Sequence, residues 1–269
     1  MITATCFADI NQILDEILLG AKAILGDNFV GMYLDGSLAS GDFDYETSDI
    51  DFVVATAVSV TPQQFDQLVA MHQRIGKLDN KWSIELEGAY IPVAALPRYD
   101  TANATHPYID RGASHLRWEH LDVDWAIHYY VLNKYGLTIV GPSLQTLVEP
   151  VSKTDLQQAV ADLLDVWWVP MIADDSKLKH DGYRCYAIMT MCRMLYTAQM
   201  GDVSSKPKAA RWVLDTQDTQ WHPLANAALQ WQGGKLKVSV ADVQAFIQFT
   251  RDLIEDLQGF KNLGGLSRA

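Results

Sequence analysis

The sequence predicts an α+β chain, with a mixed helix-and-strand domain over residues 1–150 and an all-helical domain over 151–269. Three observations carry this expectation. Helical and extended patterns alternate as far as residue 91. No convincing strand pattern follows residue 140. The length of 269 residues with 49% hydrophobic content supplies enough apolar surface for two cores.

The elements follow in order. From Phe7 to Leu25, the residues Ile10, Ile13, Leu14, Ile17, Leu18, Ala21 and Ile24 form one stripe at helical spacing, and Gly26 is a stop signal. Residues 29–34 are a short extended run ending at Asp35-Gly36-Ser37. Residues 36–48, rich in Gly, Asp and Ser, form a loop into a second strand over 49–55. Thr61-Pro62-Gln63-Gln64 has the form of a capping box with proline in the first turn, which predicts a helix through Ile75. Residues 82–87 alternate with period two and continue into Ala89-Tyr90-Ile91, a third strand on which Glu85 and Glu87 share a face.

After Gly141-Pro142 and Glu149-Pro150 the character changes. Residues 154–168 carry Leu156, Ala159, Val160, Leu163, Leu164 and Trp167 at helical intervals, and 183–200 carry Ile188, Met191, Cys192, Leu195 and Tyr196 in the same way. Segments 207–215, 223–231 and 239–258 also read as helices. Pro207 and Pro223 stand at starts, and Gly201, Gly233 and Gly259 fall just past ends.

Composition narrows the function classes. Lys and Arg total 21 against 33 Asp and Glu, a formal charge of -12. Such a chain repels a phosphate backbone, which argues against a nucleic-acid partner, and attracts a cationic substrate. Cys6, Cys185 and Cys192 cannot all pair and lack CxxC spacing, as expected of reduced thiols in the cytoplasm. The start MITATCFADI has no basic residue followed by an apolar stretch, and no run approaches the roughly 20 apolar residues of a bilayer span, so neither leader nor membrane association is expected.

The chemistry concentrates at Gly36-Ser37 and Ser48-Asp49-Ile50-Asp51. Residues two apart on a strand project from one face, so Asp49 and Asp51 point together. Paired carboxylates repel and take up a proton unless a cation lies between them. Oxygen ligands suit Mg²⁺, and Mg²⁺ in turn brings substrate phosphates. Gly36 lets the backbone approach a ligand closely, and Ser37 offers a hydroxyl and an N–H to phosphate oxygens. A third carboxylate on a neighbouring strand completes the set, with Glu85 and Glu87 both available. Asp42, Asp44 and Glu46 read as solvated turn residues. The histidines show no metal-ligand spacing and read as surface or satisfied side chains.

The Gly-Ser turn followed by Asp-x-Asp resembles the polymerase-β-like nucleotidyltransferase superfamily. The helical half, with the run from Tyr186 to Thr197, Gly201, and Ser205-Lys206 through Trp212, resembles the C-terminal domain of the streptomycin- and spectinomycin-type aminoglycoside adenylyltransferases. The linking segment from Gly141-Pro142 to Pro150-Val151-Ser152 is also similar to that family. The resemblance implies a polymerase-β-like nucleotidyltransferase domain followed by a helical-bundle domain that contributes to ATP and acceptor binding.

Residue by residue, the resemblance implies that Asp49 and Asp51 hold Mg²⁺, as two ions. Gly36, Ser37 and Ser48 would contact ATP, Glu87 would match the catalytic base, and Arg193 and Lys206 would match basic positions that reach the triphosphate. Trp167 and Trp168 resemble a substrate-facing Trp, though a Trp pair near a helix end also reads as core. The family carries an acidic residue and a His where spacing from Arg193 places Tyr183 and Tyr186. Asp181 replaces the acidic residue only with a shift of the local backbone. The expected activity is Mg²⁺-dependent transfer of AMP from ATP to a hydroxyl of a small cationic acceptor, an aminoglycoside or aminocyclitol, by a cytoplasmic monomer. The alternatives are the same chemistry on a different hydroxyl acceptor, or a nucleotide-binding module without turnover.

Overall fold

The computed structural model describes residues 4–112 and 115–265. Contacts divide the chain into two compact units, Met1–Val151 and Ser152–Ala269.

In the first unit the elements run α1 (Ala8–Leu25), β1 (Phe29–Leu34), α2 (Gly36–Ser40), β2 (Ile50–Thr56), α3 (Pro62–Ile75), β3 (Leu86–Pro92), β4 (Thr105–Ile109), β5 (Arg117–His120), α4 (Trp125–Tyr135) and β6 (Leu137–Val140). The six strands form one sheet in the order β5-β4-β3-β2-β1-β6. The β2–β3 pair is parallel and the other pairs are antiparallel.

Alternation along β2 and β3 separates two cores. Phe52, Val54 and Tyr90 face α1 and α3, where Ile10, Ile13, Leu14, Ile17, Leu68 and Ile75 are fully buried. Burial of each such large side chain contributes on the order of 1.5–3 kcal/mol. Val53, Ala55, Ala89 and Ile91 face the opposite layer with Trp125, Tyr129 and Leu132 of α4. The capping box of α3 is present: Thr61 accepts from the Gln64 N–H, and the Gln64 side chain accepts from the Thr61 N–H.

Several elements depart from expectation. Residues 36–40 form the one-turn helix α2 rather than open loop. Residues 81–84 form a 3₁₀ turn, so β3 begins only at Leu86. The Asn80 side chain accepts the Trp82 N–H, and the buried Trp82 indole donates to Asp9 at 2.9 Å, which folds the period-two run onto α1. Strands β4, β5 and β6 and helix α4 lacked a legible pattern. Pro107 sits in the middle of β4, where proline is disfavoured, β5 and β6 have four residues each, and α4 is rich in aromatic residues with modest helix propensity.

The second unit contains α5 (Lys153–Leu163), α6 (Pro170–Ala173), α7 (Asp181–Met200), α8 (Lys206–Thr216), α9 (His222–Gln230) and α10 (Val240–Gly265). Among the described residues it holds no strand. Helix α7 is its axis, burying Ala187, Ile188, Met191, Cys192 and Leu195 against α5, α8, α9 and α10. Beyond Leu163 the chain widens into a π-helical turn, Leu164–Trp168. Gly259 does not end a helix as expected, because α10 continues through it. An interior Gly costs only about 1 kcal/mol, which the packing of α10 on α7 offsets. Among the described residues, no helix is long and apolar enough to cross a membrane.

Candidate active site

Parallel pairing of β2 and β3 sets Asp51 opposite Glu87 in register. Residues paired in this way project from the same face, and Asp49, one residue before β2, follows the same alternation. Asp49, Asp51 and Glu87 consequently bring carboxylate oxygens within 4.8 Å of one another.

Burial holds the Asp51 carboxyl well above the usual carboxylate range, and the charges of Asp49, Glu87 and Asp35 push it further. Burial also raises Glu87. His128 and a hydrogen bond from the Tyr108 hydroxyl oppose that rise, and Asp49 adds to it. Three acidic groups gathered at one point repel, and a divalent cation relieves that repulsion. Their all-oxygen donor set and close spacing fit a hard ion such as Mg²⁺.

The turn after β1 is shaped to this cluster. Gly36 has φ +58°, and a Cβ there would lie 1.9 Å from Asp51 Oδ2. Only glycine lets the backbone pass so near the carboxylate. Among the described residues, the Ser37 Oγ is buried without a hydrogen-bond partner. Such an orphan costs stability unless a ligand satisfies it. Ser48 instead closes its own loop, its Oγ accepting the Asp44 N–H at 3.0 Å, while Asp44 accepts from the Glu46 and Thr47 N–H groups.

Glu85 is corrected out of the carboxylate set. It lies outside β3 and does not share a face with Glu87. Its carboxylate takes the Arg111 Nε–H, and Arg111 also donates to the Thr47 carbonyl at 3.1 Å and stands 3.9 Å from Asp49 Oδ2.

Three further residues belong to the site without a sequence signal that singled them out. Asp35 directly follows β1, is 2% exposed, and accepts a hydrogen bond from His128 Nδ1 at 3.0 Å. His128 comes from α4 and stacks on Trp125 at a centroid distance of 4.9 Å. With Asp51 and Glu87 they line one small cavity. Burial lowers the proton affinity of His128, but the hydrogen bond and charge of Asp35, with Asp124 and Glu87, outweigh it and push the imidazole up to about 10. An Asp before a Gly-Ser turn was visible in the sequence, but its partner lay in a helix with no recognisable pattern.

The other expected site residues belong to the second unit. Arg193 is half-buried on α7, and Lys206 opens α8 with its Nζ 4.5 Å from the Tyr186 ring centroid. Trp168, expected as a substrate contact, is 1% exposed and packs against Tyr183 and Tyr186. Trp167 is the exposed member of the pair, with Lys177 Nζ 3.9 Å from its ring centroid. Asp181 is likewise committed within its unit, accepting from Arg184 and from the Leu236 N–H at 2.7 Å.

Comparison with known proteins adds family information. Residues 146–255 match the profile of the aminoglycoside adenylyltransferase C-terminal domain. An aminoglycoside (3'') (9) adenylyltransferase of Klebsiella pneumoniae is 25% identical over 142 residues, 52% of each chain, so this chain spans about half the length of that relative. A spectinomycin 9-adenylyltransferase of Staphylococcus aureus is 23% identical over 258 residues, covering 91% of this chain and 95% of the relative. The crystal structure of a spectinomycin adenyltransferase AAD(9) from Enterococcus faecialis with ATP and spectinomycin shares the fold, with a TM-score of 0.71 at 17% identity over 91% of this chain and 99% of that one.

Proposed function

We propose that the chain is an aminoglycoside adenylyltransferase, in keeping with the profile match over residues 146–255 and the similarity to adenylyltransferases, and that it transfers AMP from ATP to a hydroxyl of an aminoglycoside or aminocyclitol, dependent on Mg²⁺ and releasing pyrophosphate. One observation carries the reading: Asp49, Asp51 and Glu87 converge beside the Gly36-Ser37 turn.

Asp49 and Asp51 are the proposed metal ligands. When bound, Mg²⁺ supplies neutralisation of phosphate charge and activation of the α-phosphorus. Glu87 accepts the proton of the acceptor hydroxyl as its oxygen forms the new bond to the α-phosphorus and the bond to pyrophosphate breaks. Its raised proton affinity suits that task. The unpartnered Ser37 hydroxyl donates to a phosphate oxygen. Ser48 keeps its assignment to the nucleotide, as do Arg193 and Lys206 on the helical unit, all three on the family resemblance. The charge of -12 draws in a cationic acceptor. The same acidity disfavours a nucleic-acid partner, and a cytoplasmic monomer remains part of the proposed reading.

A second reading keeps the chemistry and changes the acceptor. It is favoured by Tyr183 and Tyr186 at the places of an acidic residue and a His, and by the commitment of Asp181 to Arg184 and Leu236.

Incubation with ATP, Mg²⁺ and a mixed aminoglycoside panel, read by mass spectrometry, tests both. The expected result is a mass gain of one AMP on one acceptor. Pyrophosphate release with only a non-aminoglycoside hydroxyl compound supports the second reading, and no release with any acceptor overturns the function.

A further inference from the structure

The imidazole of His128 has two nitrogens with different fates. Nδ1 bonds Asp35 at 3.0 Å, and that carboxylate is 3% exposed. A carboxylate removed from water requires a cationic or strongly donating partner, and His128 is the ring that supplies it. Stacking on Trp125 fixes the ring plane. Nε2 has no protein partner among the described residues, and the side chain keeps 28% exposure. His128 lines the cavity it shares with Asp51 and Glu87, which has room for about one water-sized group, about 10 Å³. A donor held in place from behind and open in front matches the arrangement that stabilises an oxyanion without reorganisation.

We propose that His128, held by Asp35, is a further catalytic residue whose Nε2–H donates to a non-bridging phosphate oxygen of the bound nucleotide as charge develops there. The proposal rests on the nucleotidyl-transfer reading above. Asp35 is a positioning residue for the ring. Donation to Asp35 through Nδ1 and to the nucleotide through Nε2 together require the doubly protonated imidazole, which contact with the buried Asp35 carboxylate favours.

Two substitutions separate the nitrogens, because the amide of Asn reaches the place of Nδ1 and the amide of Gln reaches that of Nε2. His128→Asn retains a donor for Asp35 and loses the open donor. Turnover measured by pyrophosphate release should fall about 10²–10³-fold, with binding of α,β-methylene-ATP by calorimetry changed less than about threefold. His128→Gln should recover more turnover per folded molecule than His128→Asn, whereas a purely structural role for the Asp35 bond gives the reverse order. In the wild-type protein the ¹⁵N signal of His128 Nε2 should move when the analogue is added.

If His128→Asn does not fold, the Asp35→Asn/His128→Asn double variant, which removes both charges and keeps an amide pair, takes its place. Turnover within twofold of wild type, Gln no better than Asn, losses equal in turnover and analogue binding, or an unmoved Nε2 signal would each overturn the proposal. No pyrophosphate from the wild-type protein would instead count against adenylyl transfer itself.

Discussion

Glu87 and Asp51 stand in register across two parallel strands, each with its proton affinity raised first by burial. A carboxyl whose folded pKa lies above its unfolded value binds more protons when folded, so stability falls as pH rises through that window. Above the window the cluster is fully ionised and repulsion is greatest. Glu87→Gln removes one of the charges. The metal-free variant should therefore lose less stability than wild type as pH is raised through the window, while turnover drops about 10²–10⁴-fold. Parallel thermal melts and pyrophosphate assays check this, and a near-wild-type rate would remove Glu87 from the role of base. At this scale the sequence was informative where chemistry is local. Gly36, Ser37, Asp49 and Asp51 lie within sixteen residues, and strand alternation orients the two aspartates. The Asp35–His128 bond spans 93 positions, and no local periodicity encodes a contact at that separation. Choosing between Glu85 and Glu87 likewise required knowing that Trp82 anchors to Asp9 and bends the chain before β3.

The β1–α2–β2 element depends on close approach of backbone to side chain. At Gly36 a methyl group would meet Asp51 Oδ2 at 1.9 Å and would sit on a left-handed backbone. At Gly41, also left-handed at φ +77°, a Cβ meets nothing within 4 Å. Gly41→Ala therefore reports backbone strain alone, and Gly36→Ala reports strain together with displacement of the carboxylate. We expect Gly36→Ala to lose about 1–3 kcal/mol of stability and Mg²⁺-dependent ATP binding, while Gly41→Ala retains binding. Calorimetry on the pair decides, and equal binding by both would detach the turn from the carboxylate cluster. Helices with caps and apolar stripes, such as α1 and α3, were legible because their signals are contained in one segment. Strands β4 and β5 owe their form to pairing with β3 and with each other. Their own residues, including Pro107, carry little strand signal.

Over the whole molecule, the change from alternating helix and strand to helices alone was written in the periodicity, and the similarity to the adenylyltransferases bears out the fold class. Strand order was not, because β2 lies between a parallel and an antiparallel neighbour and both pairings are non-local. The excess of acidic residues is a property of the full chain that favours a cationic acceptor without naming it. What joins fold to chemistry is the place where β2, β3 and the turn after β1 meet, and the metal ion proposed for it can be sought directly. Crystals grown with Mn²⁺ and a non-hydrolysable ATP analogue should give an anomalous difference peak about 2.0–2.2 Å from carboxylate oxygens of Asp49 and Asp51, with the analogue's phosphates against Gly36 and Ser37. A peak elsewhere, or nucleotide bound away from these carboxylates, would contradict their role in AMP transfer.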